Sequence, residues 1–189
     1  MADIVSRHHL SAFWAGFAVF IQGWANRSDS AEESSLADMR RGLAIDREQG
    51  FVFLSPGFEA AVAEAEANAG EIVAGLRRLD DALVELERTG HRYYEAEMHR
   101  IRAEILLKRD PANSASAEQS LQAAIAIAQS QKARSFELRA ALSLAKLYRA
   151  ANRDSDAHAL LAPAVEGFPP PRQFPELAEA QALLSGLSR

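Results

Sequence analysis

The sequence predicts an all-α fold: a right-handed superhelix, or α-solenoid, of antiparallel helix pairs closed by a C-terminal capping helix. Three observations carry this. A small–large–small pattern recurs at near-constant spacing, and breaking residues fall where helix pairs have to turn. Strand signals are missing, because valine and isoleucine sit at helical spacing and hairpin dipeptides are absent. The pattern appears as Ser35–Met39–Gly42, Gly75–Leu79–Ala82, Ala117–Leu121–Ala124 and Ala157–Leu161–Ala164, with starts 40, 42 and 40 residues apart. Small residues on either side of a large one mark a face that lets a second helix approach closely while the large side chain fills the gap.

Taken in order, the elements form one domain over residues 1–189, with helix pairs at about 5–48, 51–88, 91–131 and 133–166 and a capping helix at 174–187. The first pair opens with "LSAFWAGFAVFIQGWA" (Leu10–Ala25), followed by a helix from Ala31 to Gln49. The second pairs "EAAVAEAEANAG" with "GLRRLDDALVELERTG". In the third, "HRYYEAEMHRIRAEILL" (His91–Leu107) reads as one helix and precedes "AEQSLQAAIAIAQS". The fourth joins "ELRAALSLAKLYRAANR" to the helix carrying Ala157, Leu161 and Ala164. Breaks fall at "ANRSDSAE", "REQG", "NAGE", "ERTG", "RDPANS" and "ANRDSD". Gly50, Gly70 and Gly90 each follow a helical run, the usual place for a residue with positive φ. "EGFPPPRQFP" (Glu166–Pro175) ends the array, since proline cannot continue a helix, and "ELAEAQALLSGL" covers the last apolar face.

At 189 residues, 48% hydrophobic and 25% charged, the chain can bury a sizeable core. Its formal charge of -5 and lack of a basic run argue against binding a phosphate backbone, so no nucleic-acid partner is expected. Without cysteine there is no disulfide, thiolate metal site or cysteine nucleophile. "LSAFWAGFAVFIQGWA" has 16 residues, short of the roughly 20 that span a bilayer, and its flank carries an acid and one fixed positive charge. It is read as a buried helix, with no membrane partner and a cytoplasmic location.

Ala145 and Tyr148, Ala103 and Leu106, and Ala63 and Glu66 each place a small residue three positions before a second packing residue. With "GLRRLDDALVELERTGHRYYEAEMHRIRAEILLKRDP" and "AEQSLQAAIAIAQSQKARSFELRAALSLAKLYRAANRDSDAHALLAP", they make the chain resemble the tetratricopeptide tail of certain bacterial regulators. Those are multidomain adenylate/guanylate cyclase-like proteins and predicted ATPases. The likeness covers roughly 60–184. The period of about 40 exceeds the usual 34 or so, and Glu66 stands where an aromatic is usual. Neither a GxxxxGK[ST] loop nor paired cyclase aspartates occur here, so the resemblance implies a scaffold or sensor role and no catalysis.

His91, Glu95 and His99 lie four residues apart, a spacing that could serve zinc. The expectation is hydrogen bonding between repeats, with no metal and no cofactor. Glu95 and Glu97 point apart on a helix and cannot flank one bond, so no catalytic residue is assigned and the chain is read as a non-enzyme. If Ala103 and Ala145 are packing positions, a concave groove is lined by Glu64, Glu97, Arg100, Glu104, Arg139, Lys146 and Arg149, running from acidic to basic. It suits a protein or peptide partner. Trp14, Phe17 and Trp24 on the first helix are expected to drive homo-oligomerisation, because a helix apolar all round must be covered on more than one side. The reading is a protein–protein interaction scaffold in bacterial signalling. Two alternatives stand beside it: a small-ligand receptor using the same groove, and a metal-dependent helical enzyme.

Overall fold

The computed structural model describes residues 12–27, 32–50, 54–112, 114–168 and 174–187. The expected starts of the first two helix pairs, at residues 5 and 51, and the prolines at 169–171 lie outside them, as does the side chain of Phe13. Among the described residues the protein is all-helical, without a strand. The chain divides into two compact units, Met1–Tyr94 and Glu95–Arg189.

The first unit contains α1 (Ala12–Asn26), α2 (Glu32–Glu48), α3 (Ser55–Asn68) and α4 (Ile72–Thr89). A single 3-10 turn, Arg92–Tyr94, follows. Here α1 packs on α2, α2 on α3 and α3 on α4. The α1–α2 contact is almost backbone to backbone. A Cβ added to Gly42 would lie 2.5 Å from the Phe20 nitrogen and 2.6 Å from the Gly16 carbonyl oxygen, so nothing larger than glycine fits. Phe20 stacks on Phe58 of α3 with ring centroids 3.8 Å apart, and Leu36, Met39, Leu43 and Val62 complete this core. Phe17 joins its edge, 6.0 Å from Phe58 and 5.8 Å from Trp14.

The second unit contains α5 (Glu95–Arg109), α6 (Ala115–Ser130), α7 (Arg134–Ala150), α8 (Asp154–Glu166) and α9 (Pro175–Leu187). Sequential neighbours pack from α5 to α9; α5 also touches α7, and α9 touches both α8 and α7. Tyr148 ties α6, α7 and the turn before α8 together. Its hydroxyl donates to Glu118 of α6 at 2.9 Å, while the Arg153 guanidinium lies 3.9 Å over its ring and also bonds Glu118.

The recurring small–large–small positions are where helices meet. Ser35, Met39 and Gly42, then Ala117, Leu121 and Ala124, then Ala157, Leu161 and Ala164 are all buried; in the remaining set Gly75 and Leu79 are buried and Ala82 half-buried. Three turns close in the same way. A residue at positive φ (Gly70, Lys132 or Asn152) is followed by a backbone N–H that returns to the carbonyl five residues earlier: Glu71 to Glu66, Ala133 to Ala128 and Arg153 to Tyr148, each at 2.8 Å.

One element differs from expectation. "HRYYEAEMHRIRAEILL" is not a single helix: α5 begins at Glu95, after the 3-10 turn. His91 therefore lies outside the helix that carries Glu95 and His99, and the four-residue periodicity does not extend to it. Gly90, at a φ of +74°, ends α4 just before this turn.

Candidate functional site

The second unit presents a charged face built on α5 and α7. Glu97, 1% exposed, accepts from Arg100 Nε at 3.0 Å and Nη2 at 2.8 Å, and Arg139 Nη2 reaches the same Oε1 at 2.9 Å. Its Oε2 is buried without a hydrogen-bond partner among the described residues. Burial works to lower the Arg100 pKa, but the Glu97 and Glu104 carboxylates outweigh it and hold the guanidinium charged. Glu104 also accepts from Ser143 of α7 at 3.2 Å, linking the two helices a second time. A buried carboxylate with two arginines is costly to leave unpaired, so these side chains are fixed in place.

Outward from this floor lie Arg139 and Lys146, one heptad apart on α7. They meet the C-terminal helix: Lys146 Nζ lies 2.8 Å from Glu179, and Arg139 Nε 3.7 Å from Glu176. Arg149 is exposed in the last turn of α7. Glu64 belongs to α3 in the first unit, where it is half-buried. Of the residues assigned to a groove, the structure thus brings Glu97, Arg100, Glu104 and Arg139 into one network, and seats Lys146 against α9.

The first unit carries a second assembly that was not anticipated. Arg47, Glu59, Arg78, Glu66, Arg40 and Glu71 form a chain of alternating charge across α2, α3 and the start of α4. Arg78 Nη1 donates to Glu59 at 2.8 Å. Burial works to raise the Glu66 carboxyl, but Arg78 and Arg40 together hold it below its usual range. The network edges a cavity of about 610 Å³ whose walls include Arg47, Glu59, Glu66, Arg78, Asp81 and Leu86. A signal for it was present: Arg40 and Arg47 are seven apart on one helix, Glu59 and Glu66 seven apart on the next, and the glutamates lie among alanines and valine. Matching seven-residue spacings place opposite charges in register on facing helices.

Among the described residues, no three His, Asp or Glu side chains are grouped so as to hold a metal ion. On α1, Trp14 and Trp24 are 46% and 42% exposed; the Arg27 guanidinium stacks 4.2 Å over the Trp24 ring. Of the residues proposed for self-association, Phe17 alone belongs to the edge of the core. No described helix is long and apolar enough to cross a membrane.

No family model matches the chain. It is similar to a protein of Rhizobium meliloti (strain 1021) described as uncharacterized, with 33% identity over 147 residues. That stretch covers 78% of this chain and 14% of the Rhizobium protein, so the chain spans about a seventh of the relative's length.

Proposed function

We propose that the chain is a non-enzymatic protein-interaction module: an α-solenoid of antiparallel tetratricopeptide-like pairs, serving as the regulatory or oligomerisation part of a larger bacterial signalling protein. The carrying observation is the shared use of one packing position by α2, α4, α6 and α8, each burying the first small residue and the large residue of its set at a spacing of about 40 residues. Repeats that bury a common face leave their other faces to a ligand. The contact of α5 with α7 supports the same reading, since alternate helices line one wall in such arrays. That the matching stretch is a small part of a long relative fits a module within a multidomain protein. Cytoplasmic location and cyclase- or ATPase-linked signalling belong to this proposal.

A second reading has one observation in its favour. The cavity beside Glu59 and Glu66 has a volume in the range of small-ligand sites. Thermal unfolding in the presence of nucleotides, polar metabolites, divalent metals and synthetic amphipathic helices separates the two. The interaction module predicts shifts with peptides alone. A metabolite at a hundred times its dissociation constant adds about 2.7 kcal/mol, and such a shift without any from peptides would replace this proposal with the receptor.

A further inference from the structure

α9 holds its place with little. Three side chains are buried on it, Leu177, Ala180 and Leu183, and its polar anchors are the pairs Glu176–Arg139 and Glu179–Lys146. Both pairs are between one-third and about one-half exposed, a setting in which an ion pair contributes little and is screened by salt. At 13 residues, α9 is also too short to be a stable helix by itself. The receiving surface is better fixed than its occupant. Arg139 is held by buried Glu97, which Arg100 also binds, so the α7 face persists whether or not α9 is seated.

Resting on the interaction-module reading, we infer that the Arg139–Lys146 face of α7 is a docking site for an acidic amphipathic helix, and that α9 is its displaceable intramolecular occupant. The recognised pattern is the one α9 presents. Glu176 and Glu179, three apart, meet the two cations, while Leu177, Ala180 and Leu183 are buried on a helix that contacts both α7 and α8. A partner helix with Glu at i and i+3 and Leu at i+1 and i+7 reproduces each contact. A tethered helix acts at an effective concentration on the order of millimolar, so it screens out weak partners and yields to a strong one.

The test uses the full chain and a labelled synthetic peptide of residues 174–187, followed by fluorescence anisotropy. The unmodified chain binds the peptide poorly, because its own α9 competes. E176K/E179K places lysines against Arg139 and Lys146, frees the face and binds at least tenfold more tightly. Adding K146E, which leaves the Arg139–Glu97 pair intact, gives the lysine introduced at position 179 a partner in cis, repels the peptide's acidic face and abolishes the tighter binding. Leu183→Ala, which thins the apolar stripe without altering charge, strengthens peptide binding in the same direction and serves if the charge variant does not fold. Equal affinity for the unmodified chain and both loosened variants, or tight binding that survives K146E, overturns the inference. Shifts with other peptides in the thermal panel would then leave the interaction-module reading standing and remove only the α9 site.

Discussion

Arg78 grips Glu66 with two parallel hydrogen bonds, Nε to Oε2 at 3.0 Å and Nη2 to Oε1 at 2.6 Å. Glu66 is 1% exposed. Its charge is neutralised from helices on both sides, by Arg40 of α2 and Arg78 of α4.

This makes Arg78 hard to remove. Arg78→Ala leaves Glu59 and Glu66 buried with fewer partners and costs about 3 kcal/mol, toward the low end for a broken buried pair because Arg78 is itself 22% exposed. Arg88→Ala breaks the exposed pair with Glu85 and leaves the denaturation midpoint nearly unchanged. Both tryptophans lie in the first unit, so urea titrations read by tryptophan fluorescence report on it directly. Equal effects of the two substitutions would contradict the network's role.

The first unit also has opposed pH dependences. Burial against α1 raises the Asp46 carboxyl to about 6, and its Oδ1 has no hydrogen-bond partner among the described residues. A carboxyl raised in the fold stabilises while protonated. Its contribution is fully present below the unfolded value near 3.8 and lost as pH rises through about 6. Glu66, held low, contributes above its unfolded value near 4.5, and that is lost as pH falls further. Fluorescence-monitored unfolding from pH 4 to 8 is expected to show stability declining between pH 4 and about 6 and levelling off above, and Asp46→Asn removes the decline. A decline that persists in Asp46→Asn would assign it elsewhere.

Gly42→Ala forces α1 and α2 apart, because the new methyl meets the backbone of Phe20 and Gly16, which cannot yield as a side chain can. The expected cost is about 3 kcal/mol or more. Gly186→Ala, with open space around it on helix α9, gains about 0.5–1 kcal/mol. Denaturant midpoints of the two variants should move in opposite directions.

The helices and their packing positions were readable because both depend on local periodicity: Met39, Leu79, Leu121 and Leu161 recur at helical offsets from small residues, and all four are buried. Gly50, Gly70 and Gly90 marked turns correctly, each at positive φ. The turn at Gln131–Ala133 has no glycine or proline to announce it; Lys132 adopts positive φ there because the Ala133 N–H returns to Ala128. Charge pairing across helices was less legible. Arg100 with Glu97 and Glu104 follows from spacing on one helix, whereas Arg139 to Glu97, and Glu176 and Glu179 to α7, depend on how separate helices pack. Gly16 and Gly23 in α1 face α2, a close approach masked in the sequence by the large aromatics around them.

The proposed self-association is carried by Trp14 and Trp24, since Phe17 already packs at the core's edge. Trp14→Glu with Trp24→Glu should therefore dissociate the assembly while leaving the fold intact, whereas Phe17→Glu destabilises the unit itself. Sedimentation velocity at high micromolar concentration checks this. A monomeric unmodified chain would end the proposal.

The charged face of α5 and α7 is the proposed partner site. Hydrogen exchange with mass spectrometry, on the full chain with and without a saturating acidic amphipathic peptide, measures this helix by helix. Slower exchange in α5 and α7, with faster exchange in α9 as it is displaced, is the predicted result. Unchanged exchange in α5 and α7, with protection appearing around Glu59 and Arg78 instead, would contradict it.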